Sequence, residues 1–228
     1  MLNLIAKILK VFDDNGLWDD GVELIGSWCF FLYQKHLGVN AFPFRTVDID
    51  FLIPFPFKSS KKINLRALLE PLGFQTAFNS DGSVYLWSSE LKIEFLTVEI
   101  GRGSESAKEI KPLSLNAIPL RFMNILLKNP ILIEEKGIKV SLPNPAAFGL
   151  HKLLIAGRRK NPAKRLKDLE QALLTLEVVA NEKIINLYKP FPKPWKKNII
   201  TMLEKSADLL PLRQHLVQRL FPMLQQNR

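Results

Sequence analysis

The chain has 228 residues, 47% of them hydrophobic and 24% charged, which is the balance of an ordinary globular protein with room for a substantial core. No apolar run approaches the length of a membrane span, the start Met1–Lys10 lacks the n-region and cleavage site of a signal peptide, and a single cysteine, Cys29, excludes an internal disulfide and fits a reducing cytoplasm. The net charge of +10 is confined to one end: residues 1–150 hold 16 Lys and Arg against 16 Asp and Glu, whereas residues 151–228 hold 16 against 6. Such a block favours a polyanionic partner, a nucleic acid or a triphosphate; a Lys-rich solvated helical surface explains it equally well.

In chain order, residues 2–12 have the spacing of an amphipathic helix, with Leu2, Ile5, Ile8 and Leu9 on one face, ended at Asp13-Asp-Asn-Gly16. Val22–Ile25 reads as a short strand, followed by Gly26-Ser27 and an apolar helix from about Trp28 to Leu37. Gly38 stops it, and a loop containing Pro43 runs to Phe44. Thr46–Ile53 is the central strand, closed by Pro54 and Pro56. Ile63–Leu72 reads as a helix; Phe74–Phe78, Ser83–Trp87 and Leu91–Val98 read as three strands joined by short turns. The polar residues 101–112 read as a loop, and Leu120–Leu127, Ile131–Glu134 and Ile138–Leu142 as further strands. Past Pro143 and Pro145 the pattern turns helical: Ala146–Ala156, Pro162–Val179, a Pro-rich stretch over 189–195, then helix interrupted at Pro211 and Pro222. The expected architecture is a mixed α/β domain over 1–142 and a basic helical domain over 143–228.

Chemistry concentrates in three places. In Thr46-Val-Asp-Ile-Asp-Phe-Leu-Ile53, strand alternation puts Val47, Ile49 and Phe51 on one face and Asp48 and Asp50 on the other. Two carboxylates side by side on a strand of strong β-formers repel and resist desolvation unless a cation joins them, and a hard divalent ion is the simplest resolution. Gly26-Ser27 lies between a strand and a helix start, where backbone N–H groups and the positive end of the helix dipole suit a phosphate, although Gly-Ser is also an ordinary helix entry. Glu94 sits between Ile93 and Phe95 on a later apolar strand, and reaches the same cation if that strand neighbours the first; otherwise it is a solvated Glu on a half-buried strand.

This pattern, Gly26-Ser27, then Thr46-x-Asp48-x-Asp50 on a strand, then a carboxylate on a later strand, resembles the nucleotidyltransferase superfamily that includes polymerase β. The likeness is closest to a bacterial nucleotidyltransferase-like branch distantly akin to abortive-infection and toxin-type transferases. Downstream, the segment Pro145–Leu154, Arg158-Arg159 and Lys164-x-x-Lys167-Asp168-Leu169 is similar to the Lys and Arg/Lys-Asp motifs of that branch. The resemblance implies an α+β (mixed α/β) fold: a nucleotidyltransferase-fold sheet domain followed by a basic helical C-terminal domain. It implies that Asp48, Asp50 and Glu94 hold Mg²⁺ or Mn²⁺ against a nucleoside triphosphate, with Glu94 near the attacking hydroxyl. Gly26, Ser27, Thr46 and Lys152 would contact the nucleotide and its phosphates, and Arg158, Arg159 and Asp168 would be accessory. The reaction would pass a nucleoside monophosphate to an acceptor hydroxyl, with pyrophosphate leaving.

A second class of function stays open. A non-catalytic module of the same fold, a regulator or toxin–antitoxin component, would use the basic part to hold tRNA, another nucleic acid or a protein. Lys152 also suits snorkelling, Asp168 a salt bridge with Arg165 or a cap on a network at the domain join, and Arg158-Arg159 the negative end of a helix dipole. His36, His151 and His215 are dispersed, without metal-ligand spacing.

Overall fold

A computed structural model describes residues 2–43, 46–101, 103 and 106–227. They fall into two compact units: Met1–Cys29 with Phe44–Pro143, and Phe30–Pro43 with Asn144–Arg228.

In the first unit, helix α1 (Leu2–Asp14) buries Ile5, Ile8, Leu9 and Phe12, a stripe at helical spacing. Strand β1 (Glu23–Ile25) runs directly into helix α2 (Gly26–His36), and β2 (Asp48–Ile53) follows. The short helix α3 (Leu65–Leu69) is capped by Asn64, whose side chain accepts the Ala67 N–H at 3.3 Å. Then come β3 (Gln75–Phe78), β4 (Val84–Trp87), β5 (Lys92–Val98), β6 (Lys108–Ile110) and β7 (Leu115–Leu120). A separate hairpin, β8 (Ile131–Glu135) and β9 (Ile138–Leu142), closes the unit.

The main sheet has the order β1-β2-β5-β4-β3, with β2 and β5 parallel and the remaining pairs of that path antiparallel. β4 accompanies only Lys92–Glu94 of β5; β7 takes the parallel pairing at Leu96–Val98 and carries β6 on its own flank. One sheet face is apolar: Ile49, Phe51, Ile93 and Phe95 are fully buried, and Phe12 stacks on Phe51 with ring centroids 3.9 Å apart. The opposite face is divided. Ile25, Leu52 and Leu96 join Met123 and Leu126 in an apolar cluster at one end, and Asp48, Asp50 and Glu94 lie toward the other. A parallel pair keeps registered residues on one face, so strand order decides which acids meet.

The expected strand over Leu120–Leu127 is a correction. β7 ends at Leu120, Phe122 takes a left-handed φ of 70°, and Met123–Ile125 is a 3-10 turn. Met123, Ile125 and Leu126 are apolar at helical rather than alternating spacing, and that spacing buries all three. β6 and β7 also fall where a loop over 101–112 and no strand over 115–119 were expected; of that loop, 102, 104 and 105 lie outside the described residues, as does Phe44. β7 holds Pro119 where β6 no longer pairs with it, an edge position that tolerates a missing N–H.

The second unit is helical: α4 (Pro145–Ala156), α5 (Pro162–Glu177), α6 (Asn181–Tyr188), α7 (Lys193–Leu209) and α8 (Gln214–Gln226), with the later residues of α2. Asn144 and Asn161 cap α4 and α5, and Pro145 and Pro162 occupy first-turn positions that need no N–H. Phe148 of α4 packs between Phe30 and Tyr33, at 6.4 and 5.3 Å between ring centroids. Gly149 is required by packing, since a Cβ there would collide with Leu176 of α5. Pro211 interrupts the last helices as expected, but Pro222 does not: α8 continues through it, with Pro222 exposed. Among the described residues no helix is long and apolar enough to cross a membrane. The fold is the expected α+β one, a mixed sheet with a helical C-terminal part.

Candidate active site

The first unit brings the start of α2 against β2. Ile25 of β1 is registered with Asp50, so the next residue, Gly26, passes directly over the Asp50 carboxylate. Gly26 has φ +69°, a conformation that favours glycine, and a Cβ built there would meet the tip of that carboxylate, which would have to move aside. Ser27 is buried in the first turn of α2, where backbone N–H groups lack intrahelical partners. Trp28 is buried as well.

Asp48 and Asp50 share one face of β2, both half-buried, and alternate with fully buried Ile49 and Phe51. The Thr46 hydroxyl is 3.3 Å from the Asp48 backbone N–H, from which it accepts, and thereby fixes the start of the strand. β5 lies beside β2 in parallel, so Asp50 is registered with Glu94 and Asp48 with Lys92. Lys92 was no part of the expected site. Its Nζ donates to Glu94 Oε1 at 2.5 Å and stands 4.5 Å from the ring centroid of Tyr85, which β4 places opposite Glu94. Burial disfavours the Lys92 ammonium, but Glu94, Asp48 and Tyr85 outweigh it and hold its pKa above the usual lysine value. Among the described residues no three His, Cys, Asp or Glu side chains converge on one metal-sized point. Asp48, Asp50 and Glu94 thus share a sheet face, but the third acid is held by a lysine.

Glu23 is a second unexpected group. It lies two residues before Ile25 on the same face of β1, 1% exposed, with no hydrogen-bond partner for its Oε2. Burial pushes its carboxyl up to about 8. A three-residue strand gives no sequence signal of how deeply its single acid is buried.

The helical unit has its own network. Lys152 and Asp168 are both buried, and Lys152 Nζ donates to Asp168 Oδ1 at 2.6 Å. Arg159 Nε donates to Asp168 Oδ2, also at 2.6 Å, and Arg165 Nη2 donates to the Arg159 carbonyl at 2.7 Å. Burial opposes the Asp168 carboxylate, yet Lys152 and Arg159 outweigh it and hold its pKa below the usual range. His151, beside them, is driven down to about 3 by burial with a further push from Lys152, and is neutral. Arg158 is exposed at the end of α4. The sequence offers Asp168 either a salt bridge with Arg165 or a place in a network at the domain join; its ion-pair partners are Lys152 of α4 and Arg159 in the turn between α4 and α5.

A protein-family model described as nucleotidyltransferase matches residues 3–192. No curated protein matches the chain. Among solved structures it is similar to the antibiotic-resistance factor ANT(2'')-Ia in solution (16% identity, 93% of this chain and 96% of that one covered, TM-score 0.46). It is similar to ANT(2'')-Ia in complex with adenylyl-2''-tobramycin (16% identity, 81% and 92% covered, TM-score 0.45). It is similar, too, to an antigenic nucleotidyltransferase-like protein from Paracoccidioides brasiliensis (13% identity, 93% of each chain covered, TM-score 0.49). With the family model covering most of its length, the chain belongs to the nucleotidyltransferase family.

Proposed function

We propose that this protein transfers a nucleoside monophosphate from a nucleoside triphosphate to an acceptor hydroxyl, with pyrophosphate leaving, in a reducing cytoplasm. The observation that carries this reading is the contact between Gly26 and Asp50, which sets a helix start beside two strand carboxylates. Asp48 and Asp50 would hold the Mg²⁺ or Mn²⁺ that such transfer uses. The donor set suits a hard divalent ion: oxygen ligands from two aspartates on one strand face, an approach kept open by glycine, and an ammonium already neutralising the third acid. When bound, the ion would neutralise charge on the phosphates. The chain's own residues do the rest. Gly26 admits a phosphate to the backbone, and the Ser27 N–H and the α2 dipole orient it. Thr46 fixes Asp48 at its strand position, and the buried face beneath holds both aspartates rigid. Such transfer needs positioning and charge neutralisation more than covalent work by protein. Titration calorimetry of a nucleoside triphosphate with and without Mg²⁺ tests this: Asp48→Asn with Asp50→Asn abolishes the metal-dependent part, and unchanged binding overturns the reading.

A second reading is favoured by the α4–α5 turn, where Arg158, Lys160 and Lys164 are exposed and residues 157–167 include no acid. Here the helical unit holds tRNA or another nucleic acid, as acceptor or as the partner of a non-catalytic module.

A further inference from the structure

We infer that Lys92 is a built-in cation of this site: Asp48 and Asp50 take one divalent ion, and the Lys92 ammonium occupies, at Glu94, the place of a second. The inference rests on the nucleotidyl-transfer reading and concerns which charges complete its acidic face.

Three carboxylates on one sheet face, Asp48, Asp50 and Glu94, carry three negative charges within two strands. Like charges so close are stable only with cations among them. Lys92 is in the same strand as Glu94, two residues before it and therefore on the same face. It is registered with Asp48, bonded to Glu94 and stacked over Tyr85. The carboxylate comes from β5 and the ring from β4, while β2 sets Asp48 in register with Lys92. Its side chain and that of Glu94 are 32% and 25% exposed, so water screens the pair only partly.

The bond at Glu94 decides between one ion and two. A second ion at Glu94 would have to displace an ammonium that already satisfies Oε1, and would face it across a few ångströms. Lys92 is thus a positioning residue: it holds Glu94 away from the ion at the aspartates, in keeping with the absence, among described residues, of a converged group of three acids.

The test is a Mn²⁺ titration of the intact protein, with free Mn²⁺ followed by electron paramagnetic resonance. The wild type binds one Mn²⁺ per chain, Lys92→Met binds two, and Lys92→Arg restores one. Glu94→Gln still binds one, because Glu94 is no ligand of that ion, and this variant keeps the inference testable if Lys92→Met fails to fold, which circular dichroism reports. Two ions in the wild type, none in the wild type, one in a folded Lys92→Met, or loss of the ion in Glu94→Gln each overturns it. Binding that survives Asp48→Asn with Asp50→Asn overturns instead the reading beneath it.

Discussion

Gly26 of α2 lies directly against the carboxylate of Asp50 on β2. That contact, together with the left-handed backbone of Gly26, leads to a first prediction. Gly26→Ala introduces strain of about 1–3 kcal/mol at φ +69° and pushes the Asp50 carboxylate aside. Urea denaturation reads the lower midpoint at unchanged slope. In the fraction that stays folded, Mn²⁺ affinity falls, because the aspartate is displaced; stability and affinity equal to wild type would show that the contact is loose.

Asp168 anchors two cations of the helical unit, and the buried one sets the cost of removing it. Asp168→Asn keeps the volume but leaves Lys152 buried without an ionised partner, a change of about 3–5 kcal/mol. Arg159 is 40% exposed and adds little. Because the folded carboxyl is depressed below its ordinary value of 3.8, its stabilisation is complete above that pH and is lost as pH falls through the lower folded value. Acid denaturation below pH 4 is therefore steeper in the wild type than in the variant.

Strand alternation made β2 legible: Ile49 and Phe51 are fully buried while Asp48 and Asp50 are half-exposed on the other face. Val47, counted with the buried face, precedes the strand and is 49% exposed, so the pattern ended one residue short. Gly26-Ser27 carries little signal by itself, since Gly-Ser is also an ordinary helix entry; only its place ahead of the two aspartates singles it out. What could not be read was which strands become neighbours. β5 beside β2, and hence Asp50 opposite Glu94, follows from long-range pairing that no local propensity encodes. Lys92 carries no local signal for the same reason, since a lysine at a strand start is usually solvated and only the parallel register sets it opposite Asp48. Pro119 interrupts the strand pattern of β7, and Pro222 suggests a break in α8 that the helix accommodates on its exposed side.

The α4–α5 turn makes the third prediction, about nucleic acid. Arg159 and Arg165 are held by Asp168 and a backbone carbonyl, so they contribute little to a ligand. Lys160 and Lys164 are exposed in the same turn. If the helical unit holds single-stranded nucleic acid, neutralising both by alanine flattens the slope of log affinity against log salt by roughly 0.7 per lost phosphate contact, about 1.4 in all. Fluorescence anisotropy at several salt concentrations measures it, and a slope equal to wild type removes this turn as the contact surface.

Glu23 supplies the last prediction, in the neutral pH range. Its carboxyl ordinarily titrates near 4.5 and in the folded protein is pushed up to about 8 by burial. Between those values the folded chain keeps a proton that the unfolded chain has released, so unfolding releases it and stability falls as pH rises. Below 4.5 the contribution is fully present; above about 8 it is gone, and the folded protein then carries an unpartnered buried charge. Glu23→Gln stays neutral throughout. The difference in unfolding free energy between variant and wild type therefore grows in the variant's favour from pH 5 to pH 8, by up to about 1.4 kcal/mol per pH unit. Groups common to both proteins cancel in that difference. Urea titrations at pH 5, 6, 7 and 8 measure it, and parallel curves would mean that water or a nearby group solvates Glu23 after all.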